Sequence, residues 1–212
     1  MISEEKLQDQ PVHNLPSATI TRKRFAAALM AGGKSSRMGT DKALLLVKWR
    51  GVEIPLWKRQ LTILEELEPD QLIFSGHHRP GLPLISVPDR WADSGPLAGI
   101  ATCLDSCLFE YLLVLAVDLP LMESAFLKLL LLHSNDSKGT VPIKEGRYEP
   151  LVAVYPKQAF AVAVARIERS DLKLQDFVRQ LVSLGLVGSL LVSPEMNGLF
   201  SNWNSAGFCG LD

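Results

Sequence analysis

The residues best suited to chemistry form a basic, glycine-containing loop that follows an apolar run near the start of the chain. The run covers residues 25–30, and the loop continues to residue 42. Its glycines are Gly32, Gly33 and Gly39, and its cations are Lys34, Arg37 and Lys42. Glycine lets the backbone turn sharply and approach a ligand closely, and backbone N–H groups of such a loop can point at an anion. Because Arg37 can donate two hydrogen bonds at once and the lysines add charge, the loop predicts a nucleotide triphosphate site.

Two better-known phosphate motifs do not match this loop. A Walker A loop whose second glycine is Gly33 would need its first glycine at position 28, and this chain has Ala28 there. A dinucleotide fingerprint needs three spaced glycines, and Gly32, Gly33 and Gly39 do not have that spacing. For the two glycines alone, an ordinary strand-to-helix loop that happens to be basic is the simpler interpretation. The whole string through Lys42 favours phosphate binding.

Asp118 is the acid best placed to bind a metal. It follows the apolar run 111–117 and precedes Leu119 and Pro120, which hold its backbone at the end of a predicted strand. Mg²⁺ usually takes one or two carboxylates together with phosphate oxygens and water. A turn or helix-capping role is the alternative, since Asp is common in turns. A phosphate-binding loop at the same end of the sheet favours the metal.

Two further polar residues follow predicted strands. Asp89 comes after Pro88, where a plain turn residue is the alternative, and His77 lies in a polar segment after residues 71–75. His77 and His78 are adjacent, so on an extended chain they point to opposite faces and are not expected to share one ion. Their positions beyond strand ends make Asp89 and His77 candidates for the same site.

The elements that position these residues alternate between strands and helices. Strands are predicted at 25–30, 71–75, 84–87, 111–117, 139–143, 148–155 and 188–192, and helices at 55–67, 95–107, 124–133, 157–169 and 174–184. Residues 43–47 are expected to form a short strand or an extended segment. In the first helix the residues recurring near the helical period are Leu56, Gln60, Ile63, Leu64 and Leu67. This order predicts a three-layer α/β/α fold, with a mostly parallel sheet and a smaller antiparallel part in the later third. Ligands bind such sheets beyond the carboxyl ends of the strands.

Composition and charge narrow the classes of function. The chain has 22 Lys and Arg against 23 Asp and Glu, a net charge of −1, which gives no support for a nucleic-acid or anionic-membrane partner. No apolar run approaches the roughly 18 to 20 residues of a membrane span. Three cysteines argue against a disulfide framework and fit a cytoplasmic protein. Cys103 and Cys107 lie four apart on a predicted helix, where buried packing is favoured over a metal pair.

The domain organisation is expected to be simple. Residues 1–24 are polar and lack the apolar segment of a secretion signal, so they are expected to form a flexible extension. Residues 25–212 show no repeat or clear linker and are expected to form a single domain.

The string from Ala31 to Lys42 closely resembles the signature of the molybdenum cofactor guanylyltransferases. The resemblance continues at 95–100, 115–120, 149–155 and, loosely, 202–204, and spans about residues 25–205. It implies a Rossmann-like nucleotidyltransferase fold. It also implies transfer of GMP from GTP to the terminal phosphate of the molybdenum-pterin cofactor, with Mg²⁺ as cofactor and release of pyrophosphate. Molybdoenzyme chaperones are further candidate partners.

The resemblance also implies a role for each matching residue. Met30, Ala31, Gly32 and Gly33 would contact the guanine and ribose, Arg37 and Lys42 the triphosphate, Asp89 the nucleotide, and Asp118 the Mg²⁺. The implied catalytic residues are Arg37, Lys42 and Asp118. On the pterin side the implied residues are Gly95, Pro96, Leu97, Gly99, Asn202 and Asn204. Relatives that use CTP tend to have Ala-Ala-Gly where this chain has Ala-Gly-Gly at residues 31–33, which favours GTP.

The chain departs from the family pattern at two places. His77 occupies the position where the family often has an Asn that contacts the nucleotide. After Asn204 the chain continues Ser-Ala-Gly, whereas the family normally continues with Thr-Pro and an acid. Three alternatives stay open: a cytidylyltransferase, a nucleotidyltransferase for another small phosphate, and a non-catalytic carrier of nucleotide or molybdenum cofactor.

Overall fold

Short strands and helices alternate along the chain. The computed structural model describes residues 23–31, 42–76, 86–88, 90–91, 94–135 and 137–202. The strands in these residues are β1 (Phe25–Met30), β2 (Leu46–Trp49), β3 (Val52–Pro55), β4 (Gln71–Ser75), β5 (Ser86–Val87), β6 (Tyr111–Ala116), β7 (Gly139–Lys144), β8 (Arg147–Tyr148), β9 (Val152–Pro156) and β10 (Val187–Leu191). The α-helices are α1 (Leu56–Glu65), α2 (Gly95–Ser106), α3 (Ser124–His133), α4 (Ala159–Glu168) and α5 (Leu174–Ser183). Two 3₁₀ helices cover Lys42–Leu44 and Pro194–Phe200.

The main sheet is mostly parallel. Its strand order is β10-β7-β9-β6-β1-β4-β5, with β8 beside β7. Strand β1 lies parallel to both β4 and β6, whereas β9 runs antiparallel between β6 and β7. The parallel strands therefore end at one side of the sheet, here called the carboxyl edge. The predicted mixed sheet, with its antiparallel part in the later third, is confirmed.

Helices cover both faces of the sheet and make it a three-layer structure. Alternate residues of β1 enter different cores: Phe25, Ala27 and Leu29 pack with α1 and α3, while Ala26, Ala28 and Met30 pack with α2, α4 and α5. All six residues of β1 and all six of β6 are buried. A strand covered on both faces needs apolar side chains at every position, which is why these segments show no alternation.

A small hairpin follows the glycine-containing loop, and the sequence prediction missed its second strand. Strands β2 and β3 pair antiparallel across Arg50 and Gly51, whose φ angles are 50° and 79°. Two consecutive left-handed residues give the type I′ geometry that suits a two-residue hairpin. Because Pro55 ends β3, the helix predicted from residue 55 begins at Leu56.

The strand predicted over 148–155 is interrupted. Strand β8 ends at Tyr148, and a turn closed by the Val152 N–H donating to the Glu149 carbonyl at 3.1 Å precedes β9. Pro150 lies inside this turn and has no N–H to donate to a neighbouring strand, so it separates the two strands.

The first described residues contact the domain. The Lys23 Nζ donates to the Leu131 carbonyl at 3.1 Å, and the Arg24 Nε donates to the Asp70 carboxylate at 3.0 Å. The flexible extension and its boundary stay a prediction, since residues 1–22 lie outside the described residues. In the part of the chain that the structure describes, no helix combines the length and apolar character needed to cross a membrane.

Candidate active site

The fold brings Lys42 and Asp118 together at the carboxyl edge. The Lys42 Nζ lies 3.6 Å from the Asp118 Oδ2, and the two side chains are 21% and 31% exposed. At this distance the charges attract each other without forming a short hydrogen bond. Both side chains keep exposed surface, so each can also contact a charged ligand. The sequence assigned both residues to this edge of the sheet but did not predict their contact.

Backbone hydrogen bonds fix the position of Asp118. It is the second residue after β6, and the Val117 N–H donates to the Met30 carbonyl at 3.0 Å, which ties the end of β6 to the end of β1. The Ala116 N–H donates to the Leu151 carbonyl at 2.8 Å on the other side. Asp118 therefore leaves the sheet between two neighbouring strands.

Two residues of α1 hold the segment 117–122, here called the Asp118 loop. The Gln60 Nε2 donates to the Leu119 carbonyl at 2.5 Å and to the Val117 carbonyl at 3.4 Å. The Arg59 Nη2 donates to the Met122 carbonyl at 2.9 Å. The sequence placed Gln60 on the buried stripe of its helix but gave it no role. A polar residue on an otherwise apolar stripe was the sequence signal that could have indicated a buried hydrogen-bonding role.

Met30 and Ala31 place the start of the glycine-containing loop at the same edge. Met30 ends β1 and is 8% exposed, with its Sδ 3.9 Å from the Cys103 Sγ. The Ala31 N–H donates to the Ser75 carbonyl at 2.9 Å, which ties the loop entry to the end of β4. Met30 and Ala31 therefore lie between the ends of β4 and β6.

The predicted pterin-side residues divide into exposed and buried positions. Gly95 and Pro96 are exposed at the N-terminus of α2, whereas Leu97 and Gly99 are buried. Gly95 has a φ of 63°, a left-handed conformation that favours glycine. The free N–H groups at a helix N-terminus favour an anion. Asn202 is exposed at the end of the described chain.

The segment before Asn202 is held against the core. The Phe200 ring packs edge-on against Phe126 of α3, with 5.2 Å between the ring centroids. Six predicted residues lie outside the described residues, and their roles stay predictions: Gly32, Gly33, Arg37, His77, Asp89 and Asn204.

Glu149 is a second carboxyl near the carboxyl edge that the sequence did not single out. It lies in the turn between β8 and β9, and its N–H donates to the Pro142 carbonyl at 2.9 Å. Burial raises the pKa of its carboxyl above the ordinary value, and the charges of Lys144 and Arg147 only partly oppose that rise. Asp118 and Glu149 are both partly buried, and burial raises the pKa of Glu149.

The carboxylate of Asp118 fits a magnesium site that a bound ligand completes. In the described ranges there is no cluster of three or more His, Cys, Asp or Glu side chains able to enclose a metal. Mg²⁺ does not need such a cluster, because it commonly combines one or two carboxylates with phosphate oxygens and water. The partly exposed carboxylate of Asp118 supplies oxygen atoms of the kind that bind Mg²⁺. Cys103 and Cys107 are buried, as expected from their positions on the predicted helix.

Comparisons with known proteins show which family the chain resembles. The family model of the MobA-like NTP transferase domain matches residues 27–184. A probable molybdenum cofactor guanylyltransferase from Opitutus terrae is 33% identical over 186 residues, covering 85% of this chain and 90% of that protein. One of the same description from Flavobacterium johnsoniae is 31% identical over 154 residues, covering 72% of this chain and 80% of that protein.

Solved structures show the same fold at lower identity. Molybdopterin-guanine dinucleotide biosynthesis protein A from Archaeoglobus fulgidus aligns with a TM-score of 0.63 at 21% identity, covering 84% of this chain and 92% of that chain. A nucleotidyl transferase from Methanothermobacter thermautotroptrophicus aligns with a TM-score of 0.64 at 15% identity, covering 84% and 91%. The family model and the relatives from Opitutus terrae and Flavobacterium johnsoniae match most of the length of this chain. The chain therefore belongs to the MobA-like NTP transferase domain family.

Proposed function

We propose that this nucleotidyltransferase transfers GMP from GTP to the terminal phosphate of the molybdenum-pterin cofactor, giving the guanine dinucleotide form and pyrophosphate. The observation that carries the proposal is the pairing of Lys42 and Asp118, 3.6 Å apart at the carboxyl edge. The choice of substrates follows the names of the relatives from Opitutus terrae and Flavobacterium johnsoniae.

Lys42 and Asp118 have complementary tasks in this proposal. Asp118 would hold Mg²⁺ against the phosphates, and Lys42 would contact the phosphate oxygens that gain charge as pyrophosphate leaves. When bound, Mg²⁺ supplies a Lewis acid that stabilises the charge of the transferring and leaving phosphates. Both side chains are partly exposed, so each can contact a nucleotide bound at this edge.

The chain does not need a strong general base for this reaction. The nucleophile is a phosphate oxygen of the pterin cofactor, which is already ionised at neutral pH. It forms a bond to the α-phosphorus of GTP as the bond to pyrophosphate breaks. The protein must hold two polyanions in line and offset their charge. Arg37, Gly32 and Gly33 would share that task with Lys42.

The remaining parts of the site are assigned by the same proposal. Met30 and Ala31 border the guanine and ribose, and His77 and Asp89 would contact the nucleotide. The pterin side would be formed by Gly95, Pro96, Leu97, Gly99, Asn202 and Asn204. We place the reaction in the cytoplasm, with molybdoenzyme chaperones as candidate recipients of the product.

Transfer of a labelled nucleotide tests the proposal. With [α-³²P]GTP, Mg²⁺ and molybdenum-pterin cofactor, we expect the label to move onto the pterin product. Omission of the cofactor or of Mg²⁺ should abolish that transfer. If the label moves only from [α-³²P]CTP, the proposed base is wrong. If no label moves although GTP binds, the chain is a carrier or uses another acceptor, and the proposed reaction is wrong.

A further inference from the structure

We propose that Gln60 is a positioning residue for Asp118, which it holds through the two peptide carbonyls that flank it. Arg59 holds the later part of the same loop. The inference rests on the proposed role of Asp118 in binding Mg²⁺, and it adds a residue of α1 to which the sequence analysis gave no role.

The hydrogen bonds of Gln60 bracket Asp118. The amide Nε2 lies 3.4 Å from the Val117 oxygen and 2.5 Å from the Leu119 oxygen, and these are the residues immediately before and after Asp118. An amide group has two N–H donors, so one side chain can satisfy both carbonyls. The Val117 carbonyl belongs to the peptide that enters Asp118, and the Leu119 carbonyl to the second peptide beyond it. Holding both carbonyls limits the backbone on either side of Asp118, and with it the direction in which the Asp118 side chain points.

Arg59 determines which way the Gln60 amide points. The Arg59 Nη1 lies 3.1 Å from the Gln60 Oε1. A guanidinium can only donate hydrogen bonds, so the amide oxygen must face Arg59 and the NH₂ group must face the loop. The Arg59 Nη2 also donates to the Met122 carbonyl at 2.9 Å. The two residues form one network along the loop.

Burial makes this network hard to replace. Gln60 is 0% exposed and Arg59 is 4% exposed, while the carboxylate they position is 31% exposed. Carbonyls that lose a buried donor must find another partner or move. The loop would then shift, and with it the carboxylate. Groups behind a metal ligand commonly control its orientation in this way.

Gln60 is the better residue to test, because Arg59 has a second environment. Arg59 also lines a cavity of about 220 Å³ together with Trp49, Met122 and Ser124. A change at Arg59 would alter that cavity as well as the loop. Gln60 is not among the residues that line this cavity, so its substitution addresses the loop carbonyls more directly.

Gln71 provides a matched control at the opposite edge of the sheet, where the parallel strands begin. It begins β4, and its Nε2 donates to the Ser106 carbonyl at 2.9 Å while its Oε1 accepts from the Leu108 N–H at 2.9 Å. Gln71 therefore also holds a loop through its amide group, but that loop follows α2 and lies away from Asp118. Gln60→Met and Gln71→Met remove the same chemical group.

The test measures Mn²⁺ bound to the protein–GTP complex by electron paramagnetic resonance, with unfolding in urea measured in parallel. We expect Gln60→Met to weaken Mn²⁺ binding about tenfold or more, and Gln71→Met to change it by less than about twofold. Asp118→Asn should weaken Mn²⁺ binding at least as much as Gln60→Met. Adding Gln60→Met to Asp118→Asn should produce little further loss, because both act on one ligand.

Each result has a defined meaning. If Gln60→Met keeps wild-type Mn²⁺ affinity while Asp118→Asn loses it, the positioning role is wrong and the metal role of Asp118 stands. If Asp118→Asn also keeps wild-type affinity, both are wrong. An equal loss in Gln71→Met would mean that general destabilisation explains the effect, which also overturns the inference. Should Gln60→Met fail to fold, Gln60→Asn, which keeps an amide but withdraws it from the carbonyls, is judged by the same limits.

Discussion

Asp118 is the residue on which the proposed chemistry depends most. In the described part of the chain its side chain has one ion pair, with Lys42 at 3.6 Å, and a partly exposed pair of this kind contributes at most about 1 kcal/mol to stability. Asp118→Asn keeps the shape of the side chain but weakens its hold on Mg²⁺. We expect turnover to fall by roughly 10²- to 10³-fold, measured as pyrophosphate released per enzyme.

A second Asp→Asn change separates chemistry from stability. Asp105 on α2 forms an ion pair with Arg90, and Asp105→Asn removes a surface charge pair without touching the Asp118 loop. Both variants should unfold within about 4 °C of the wild type, and only Asp118→Asn should lose turnover. Near-wild-type turnover in Asp118→Asn would contradict the assigned metal ligand.

Glu149 predicts a pH-dependent contribution to stability. Burial raises the pKa of its carboxyl in the folded chain above the ordinary value of 4.5, so the folded state holds this proton more tightly than the unfolded state. Below that ordinary value the Glu149 carboxyl is protonated in both the folded and the unfolded state, and it does not lower the free energy of unfolding. As pH rises through the raised pKa, the buried charge lowers the free energy of unfolding.

Glu149→Gln removes that dependence. The variant should have a higher free energy of unfolding than the wild type at pH 7.5, and the difference should close as pH falls toward 4.5. Urea unfolding at both pH values measures this. Glu65→Gln, which changes an exposed carboxyl on α1, is the control and should have little effect at either pH. Destabilisation by Glu149→Gln at pH 7.5 would show that the ionised carboxylate makes a contact that the fold needs.

Among the elements, β7 and β9 approach each other most closely at Gly139. A Cβ built on this residue would lie 2.0 Å from the Val154 carbonyl oxygen and 2.9 Å from the Pro156 Cδ. Because the nearer atom belongs to the backbone, the strands must separate to admit a methyl group. We expect Gly139→Ala to lower the free energy of unfolding by about 3 kcal/mol, measured in urea.

Gly188 is the matched control on the neighbouring strand β10. It pairs with Thr140 of β7, and the nearest atom to a Cβ placed there is 3.9 Å away, an ordinary contact. Gly188→Ala should therefore change stability by no more than about 1 kcal/mol. Equal stability of the two alanine variants would show that β7 and β9 are not as close as described.

Element types were predictable where one physical signal dominated. The buried strands β1 and β6 are continuous apolar runs, and sequence predicted both within one residue at each end. Strand β3 was missed because it is short and mostly exposed. A signal was present: Gly51 follows Arg50 between two segments that alternate apolar and polar residues, as in a two-residue hairpin.

At the scale of the whole molecule, the sequence predicted which ends of which elements would meet, but not what holds them. Lys42 and Asp118 were assigned to one edge because parallel strands end together, and in the structure their side chains lie 3.6 Å apart. Their roles stay predictions. The network of Gln60 and Arg59 was not predictable in this way. It depends on how α1 lies across the end of β6, and that packing is a property of the folded chain.

Nucleotide-dependent pyrophosphate release tests the proposed function of the whole molecule most directly. The full chain would be supplied with molybdenum-pterin cofactor and Mg²⁺, and the rate compared among GTP, CTP and ATP. We predict Mg²⁺-dependent release with GTP, little with CTP or ATP, and none without the cofactor. Release mainly with CTP would keep the mechanism and contradict the base assignment. No release with any nucleotide, although GTP binds, would contradict the proposal that Lys42 and Asp118 serve nucleotidyl transfer to this cofactor.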